Sequence, residues 1–349
     1  MKVIINRLLK ISKTLINQPL SVLRFSLSIL IGKKLIGNLV FIYNTPNNIT
    51  YSLSRTWFTS FLPDSFLSFD LYHYNYLKVI IIISTLSAAI GLLGRLNLLV
   101  LAFLSYFILG SVEALGVFDH HLSLPSQVIL ALALVPGSMK ISIDYFILNH
   151  KNLKHYRLKP LFSNNYKWGF NLILLLLVLT YFTAGVSKLR YGNGVNWLDG
   201  STLGFYLKEK TLTFKEGEKQ LIIGDNKITQ KEKWKDRFGF KAHAYANYQS
   251  SKKMRLIANY IASHKFLLVI LSVGSIIFEL FGFIVFFNSK YRNIYLISAV
   301  LFHLSIGALM GISFRQYRLI ALCLIDWNYL LNSISSKYKK LGLSKLIAK

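Results

Sequence analysis

The sequence predicts an all-α fold, a polytopic transmembrane helix bundle of about eight spans with one long extracytoplasmic loop. Composition is the first reason: 53% of the 349 residues are hydrophobic and mean hydropathy is +0.45. The second is that apolar runs of roughly 20 residues recur along the chain, the length a helix needs to cross the hydrocarbon of a bilayer. Lipid offers no partner to an unpaired backbone N–H or C=O, so such runs must be helical. The third is where the charge sits. With 41 Lys+Arg against 14 Asp+Glu the formal net charge is +27, which in a soluble chain would point to nucleic acid. Here the basic residues lie mostly between and beside the apolar runs, where contact with anionic headgroups and control of topology account for them. The expected partner is therefore the lipid bilayer and not nucleic acid. Cys323 is the only cysteine, which excludes an internal disulfide and a cysteine metal cluster.

Residues 1–18 form a basic, amphipathic arm without a small-residue cleavage site, expected as an interfacial helix rather than a removable signal peptide. The transmembrane domain is expected over 19–333. Its first span, about 21–42 (SVLRFSLSILIGKKLIGNLVFI), holds Arg24, Lys33 and Lys34, is the least apolar, and is open to bending or partial re-entry. The loop 43–76 is polar and aromatic with few basic residues, so the positive-inside rule turns it outward and leaves the N-terminal arm in the cytoplasm. A second span, about 77–93, and a third, about 98–118, flank a Gly94-Arg95-Leu96-Asn97 turn. The third holds Glu113 and ends at Asp119-His120-His121. A shorter fourth run, 125–139, is broken by Pro136-Gly137, and the basic stretch 140–167 belongs in the cytoplasm.

The fifth span, 168–187, carries the chain outward to Lys188. Residues 189–264 then form the long extracytoplasmic loop, rich in both signs of charge; long loops translocate whatever their charge. It contains a weak hairpin signal at Gly224-Asp225-Asn226 and the amphipathic stretch SKKMRLIANYIASHK, which leads back to the membrane. The sixth span is expected at 266–287 with Glu279 inside it, the seventh at 293–313 with His303 near its middle, and the eighth at 319–333. Arg315 and Arg318 fall outward, a local exception to the charge rule. The basic tail 334–349 returns to the cytoplasm, so both termini share that side.

Ionisable groups inside spans are rare and usually face a bundle interior or a water-filled cavity, which makes each a candidate functional residue. Lys188 stands first, because an ammonium ending an apolar helix must reach headgroups, face a polar cavity or lose its proton. Snorkelling to the interface is the plain alternative. In a dry pocket its pKa would fall, and a neutral amine would be available as a base near neutral pH. Arg24 and Glu113 are open to a structural ion pair, Glu279 to a neutral acid hydrogen-bonded between helices, and His303 to a packing histidine. The His120-His121 pair invites a metal reading, but adjacent histidines with no i,i+4 partner and no nearby cysteine do not make a ligand set, and no metal is expected. No nucleotide loop, zincin signature or serine nucleophile motif is present.

The stretch YFTAGVSKLRYGNGVNWLDGSTLGFYL at 181–207 combines a small-residue helix end, Lys-Leu, a short gap, a tryptophan and an acidic-Gly turn. It resembles the HTTM proteins, the family that includes vitamin K-dependent gamma-carboxylase, and the resemblance covers about 19–333. FELFGFIVFF and AVLFHLSIGALMGISFRQY resemble the family's later helices, FDHHLSLP the region of another functional histidine, and LSVLRFSL its opening helix. The resemblance implies that Lys188 holds the place of the family's lysine base, thought to deprotonate vitamin K hydroquinone. It further implies that Trp197 and Gly200 belong to the following turn, and that His303 and His121, with His120 beside it, assist. Arg24, Glu113, Glu279 and Trp197 would then contact the cofactor, a reduced quinone, whose oxidation by dioxygen yields a strong base. Two features depart from the carboxylase: Ser187 stands where it has a second lysine, and about 16 residues follow the last expected span. Short bacterial members are similar to the sporulation-delaying protein B family, which implies the alternative of a membrane partner in the maturation or export of a secreted peptide toxin. In either case the resemblance implies the bacterial plasma membrane.

Overall fold

The computed structural model describes residues 14–44, 71–114, 123–150, 166–191, 195–209, 251–312 and 314–340. Helix α1 (Pro19–Tyr43) opens on Pro19, whose fixed φ suits a first helical turn and whose missing N–H costs nothing there. Leu20, Leu23, Leu27, Ile31, Leu35, Leu39 and Ile42 recur every three or four residues and are all buried, so one face of α1 is committed to the bundle. The helix runs unbroken through Lys33 and Lys34, and the anticipated bend or re-entry does not occur. Packing of that continuous apolar stripe outweighs the two lysines, which lie off it.

The chain continues through α2 (Leu71–Ile90), α3 (Gly94–Ala114), α4 (Ser123–Leu134), α5 (Ile143–His150) and α6 (Tyr166–Tyr191). There follow α7 (Val195–Leu198), α8 (Ser201–Glu209), α9 (Lys252–Ser263), α10 (Lys265–Leu280), α11 (Ser289–Met310), α12 (Arg315–Leu324) and α13 (Trp327–Lys340). A 3₁₀ segment, Phe281–Phe286, extends α10. No strand occurs among the described residues. Six helices are long and apolar enough to cross a membrane, namely α1, α2, α3, α6, α10 with its extension, and α11. The chain therefore has the build of an integral membrane protein.

About eight spans were expected, the fourth of them short; six helices reach crossing length, and the fourth and eighth runs give shorter helices. Segment 125–139 yields α4, of 12 residues, which stops before Pro136-Gly137. Segment 319–333 breaks at Ile325-Asp326 into α12, of 10 residues, and α13. The reason is their surroundings: α4 packs on α1, α3 and α6, and α12 on α1 and α11. A helix walled by other helices need not match the thickness of the lipid.

At one end of the bundle, buried Arg24 ties three segments together. Its Nη1 donates to the carbonyl of Ala88 at 2.8 Å and its Nη2 to that of Ile141. The Ser21 hydroxyl donates to the Gly137 carbonyl at 2.9 Å. Asp144 accepts from the backbone N–H groups of Leu93 and Gly94, at 2.9 and 2.8 Å, and so caps α3. Gly91 has φ of +74°, and a Cβ there would stand 2.2 Å from Arg24 Nη1, so the turn requires glycine. An Arg24–Glu113 ion pair does not form. Arg24 sits beside the start of α3, and Glu113 lies 19 residues further along that helix, about 28 Å away at 1.5 Å per residue.

At the same end, Asp326 in the turn between α12 and α13 accepts from the Ser289 hydroxyl at 2.8 Å and from Arg292 at 3.1 Å. Asn293 completes the clasp by exchanging hydrogen bonds with the Asp326 backbone at 2.7 and 3.1 Å. The stretch that leads back to the membrane is helical, as α9, with Ser251 as its N-cap. Its Ala258 and Ala262 pack with Leu207 of α8 and Leu268 of α10 into a small satellite core. The hairpin signal at 224–226 and the tail beyond 340 lie outside the described residues.

Candidate functional site

The site is built where α6 and α10 come closest. Gly185 allows it: a Cβ at that position would lie 3.1 Å from the Cβ of Glu279, so the helices pack almost backbone to backbone. One turn on, Lys188 faces the same neighbour, and its ammonium donates to both carboxylate oxygens of Glu279. The two differ in access, with 19% of the Lys188 side chain exposed against 5% for Glu279. The contact joins two residues that were expected separately: Lys188 turns onto Glu279, and Glu279 meets a lysine between the two helices. Burying either charge alone would be costly, and together each supplies the other's missing partner.

Trp197 closes the pair from outside. Its ring lies 5.1 Å from Lys188 Nζ, within cation–π range, and is backed by Tyr206 with centroids 6.4 Å apart. Gly200 fixes that lid, because its φ is +77° and a Cβ would meet the backbone of Leu268 at 2.7 Å. Asp199 accepts from the Ser201 N–H at 2.8 Å and starts α8.

A second polar layer lies two turns deeper. The Tyr181 hydroxyl and His303 Nε2 are hydrogen-bonded at 2.7 Å, and both residues are buried. The imidazole sits among Tyr181, Phe302, Phe314 and Tyr317, with centroids between 4.7 and 5.7 Å away. The Tyr317 hydroxyl meets Ser123 Oγ at 3.2 Å, at the head of α4. Phe278, one residue before Glu279, stacks on Tyr295 at 4.7 Å and meets Tyr181 edge-on at 5.4 Å. The buried Tyr295 hydroxyl has no hydrogen-bond partner among the described residues. The Glu279 carboxylate lies within electrostatic reach of both Tyr181 and Tyr295.

The arrangement thus joins Lys188, Glu279 and Trp197 directly, and sets His303 in the adjoining layer through Tyr181. Arg24 belongs to the opposite end of the bundle, where it holds backbone carbonyls. Glu113 lies in the last turn of α3, and its side chain is outside the described residues, as are His120 and His121. Sequence alone does not single out Tyr181, Tyr295 or Tyr317, since tyrosines in apolar runs read as core. One signal was available for Tyr181: it precedes Lys188 by seven residues, two turns on the same helix face.

Chemically, the layers differ in kind. Lys188 and Glu279 can hold one proton between nitrogen and oxygen and take up a second, whereas Tyr181 and His303 are joined by a single hydrogen bond through which a proton can pass. Among the described residues, no group of three His, Cys, Asp or Glu side chains could hold a metal ion. No family model, no curated protein and no solved structure matches this chain.

Proposed function

We propose that this chain is an HTTM-type enzyme of the bacterial plasma membrane, carboxylase-like in using Lys188 for base chemistry on a lipid-soluble hydroquinone. In this reading α4 and α12 are the fourth and eighth legs of the bundle, the 189–264 region is extracytoplasmic and both termini are cytoplasmic. The observation that carries it is the Lys188–Glu279 pair, partly open through its amine and closed behind its carboxylate.

The surroundings fit such a group. Aromatic rings of Trp197, Tyr181 and Phe278 line the neighbourhood of a charged pair, which suits a flat apolar ring with an acidic hydroxyl. When bound, a hydroquinone supplies a weakly acidic O–H and an oxidisable ring. Glu279 can take the proton that Lys188 carries, which leaves a neutral amine at Nζ with its lone pair free. Lys188 then takes up a proton from outside, and the protonated pair keeps one positive charge beside the anion it has made. Trp197 and the buried rings below exclude water, which strengthens that charge's effect. His303 and Tyr181 hold the floor of the site and offer a hydrogen bond in its low-dielectric interior.

The test is turnover of vitamin K hydroquinone by the purified protein in detergent or vesicles. Lys188→Ala should lower it by about 10²- to 10⁴-fold, the usual contribution of a positioned acid–base group. Full turnover in that variant would end this reading. The secreted-peptide alternative rests on the 189–264 region, of which 210–250 lies outside the described residues, and no specific contact favours it.

A further inference from the structure

Lys33 is an oddity that the site does not absorb. It is exposed on α1 and has neither an ion pair nor a hydrogen bond among the described residues. Its depth makes this unusual. At one end of α1, Arg24 and Ser21 are tied to the turns 91–93 and 137–141, which mark one membrane surface. At the other, Tyr43 packs on Tyr74 at 4.7 Å, and Lys78 lies 5.7 Å from the same ring, which marks the opposite interface. Lys33 is nine residues from Arg24 and ten from Tyr43, which is about 14 and 15 Å at 1.5 Å per residue. The ammonium thus stems from the middle of a hydrocarbon layer about 30 Å thick, deeper than a snorkelling end residue.

Its surroundings are shaped to receive something. Lys33 borders an outward groove of about 280 Å³, lined with Gly32, Ile36, Ile82, Thr85 and Leu86. Along α1 the exposed residues Phe25, Ile29, Lys33, Gly37 and Val40 form one stripe, and a Cβ at Gly37 would meet nothing within 4 Å. That missing side chain, one turn from the lysine, leaves room for a second helix to approach closely. Thr85 Oγ1, on the groove wall, is buried without a hydrogen-bond partner among the described residues.

We propose that this face docks a transmembrane helix of a different protein, one that carries a single carboxylate at mid-bilayer opposite Lys33. Charge complementarity selects the occupant. A phospholipid places its anionic group at the surface, about 15 Å too far out. A second copy of this chain has no suitable acid among the described spans: Glu279 is held by Lys188, and Glu113 stands in the last turn of α3. A helix with one mid-span Asp or Glu, packed along Ile29, Lys33 and Gly37, neutralises the ammonium where water cannot.

The test reconstitutes the full chain, dye-labelled, in phosphatidylcholine vesicles with acceptor-labelled polyleucine transmembrane peptides that differ only at the centre, glutamate or leucine. The glutamate peptide should associate about tenfold more tightly than the leucine peptide. Lys33→Met should abolish that preference, and Lys33→Arg should keep it. If Lys33→Met does not fold, Gly37→Leu should produce the same loss by closing the approach while leaving the charge. Equal association of the two peptides with the unaltered chain would overturn the proposal. So would energy transfer between copies of the chain that depends on Lys33, which would assign the face to self-association.

Discussion

Lys188 and Glu279, 91 residues apart in the chain, form an ion pair in which both carboxylate oxygens receive the same ammonium. The carboxylate is nearly closed off and the amine is not. Removing either partner should therefore have unequal consequences. Lys188→Met strands a buried carboxylate and should destabilise the fold by about 3 kcal/mol, at the lower end of the range for a broken buried pair. Glu279→Gln leaves an amine that can turn toward solvent, and should cost less. The double variant Lys188→Met, Glu279→Gln should recover most of the loss, because neither charge then remains to be stranded. Thermal unfolding in detergent across this cycle decides it, and strictly additive effects would mean that the pair does not act as a unit.

The Tyr181–His303 contact makes a second, separable prediction. Tyr181→Phe removes one hydroxyl from a buried hydrogen bond of 2.7 Å and should cost about 1 kcal/mol. His303→Leu should cost more, since it also leaves the Tyr181 hydroxyl without that partner. In the combined variant the penalty of the stranded hydroxyl disappears, so the two changes should couple. On the proposed function, Tyr181→Phe should lower hydroquinone turnover far less than Lys188→Ala, because it touches the floor and not the base. A Tyr181→Phe loss equal to that of Lys188→Ala would move the proton-accepting role to the deeper layer.

How much of this was legible beforehand follows from what each signal measures. Six crossings could be read from hydropathy because their outer faces meet lipid. The two short helices also read as apolar runs, the fourth already as a short one, but apolar composition does not tell a side chain that meets lipid from one that meets another helix, and α4 is mostly and α12 half buried in protein. Asp326 was hidden for the same reason, inside what reads as an apolar run, although it ends one helix and anchors the next. Lys188 stood out because a charge ending an apolar helix demands an explanation. Its partner did not declare itself: Glu279 could be flagged as unusual, but the contact depends on Gly185 bringing two distant segments together.

Asp326 gives the protein a pH dependence of definite sign. Burial pushes its carboxyl up, but the Tyr329 N–H, the Ser289 hydroxyl and Arg292 together outweigh that and hold it below the usual carboxylate range. A group with a depressed folded pKa contributes stability above its unfolded pKa, about 3.9, and loses it as pH falls through the lower folded value. Asp326→Asn should therefore be less stable than the parent at neutral pH. The difference should shrink steadily once the pH drops below about 4 and vanish under strongly acidic conditions. Unfolding midpoints of both proteins against pH check this, and a difference that grows on acidification would reverse the assignment.

Gly200 and Trp197 link the lid to the pair it covers. A side chain at position 200 must both adopt φ of +77° and displace the Leu268 backbone from 2.7 Å, so Gly200→Ala should shift the start of α8 and loosen α7, which carries Trp197. The strain at the glycine alone is worth about 1–2 kcal/mol. The cation–π contact at 5.1 Å would then open, and Lys188 would gain access to water while keeping Glu279. Trp197 fluorescence, obtained by subtracting the spectrum of a Trp197→Phe protein from its parent in each background, should move to longer wavelength in Gly200→Ala. Modification of Lys188 by an amine-reactive reagent, followed by peptide mass spectrometry, should become faster. An unshifted Trp197 spectrum with an unchanged rate of modification would show that the lid is held by Trp197 and Tyr206 alone, with no help from the glycine turn.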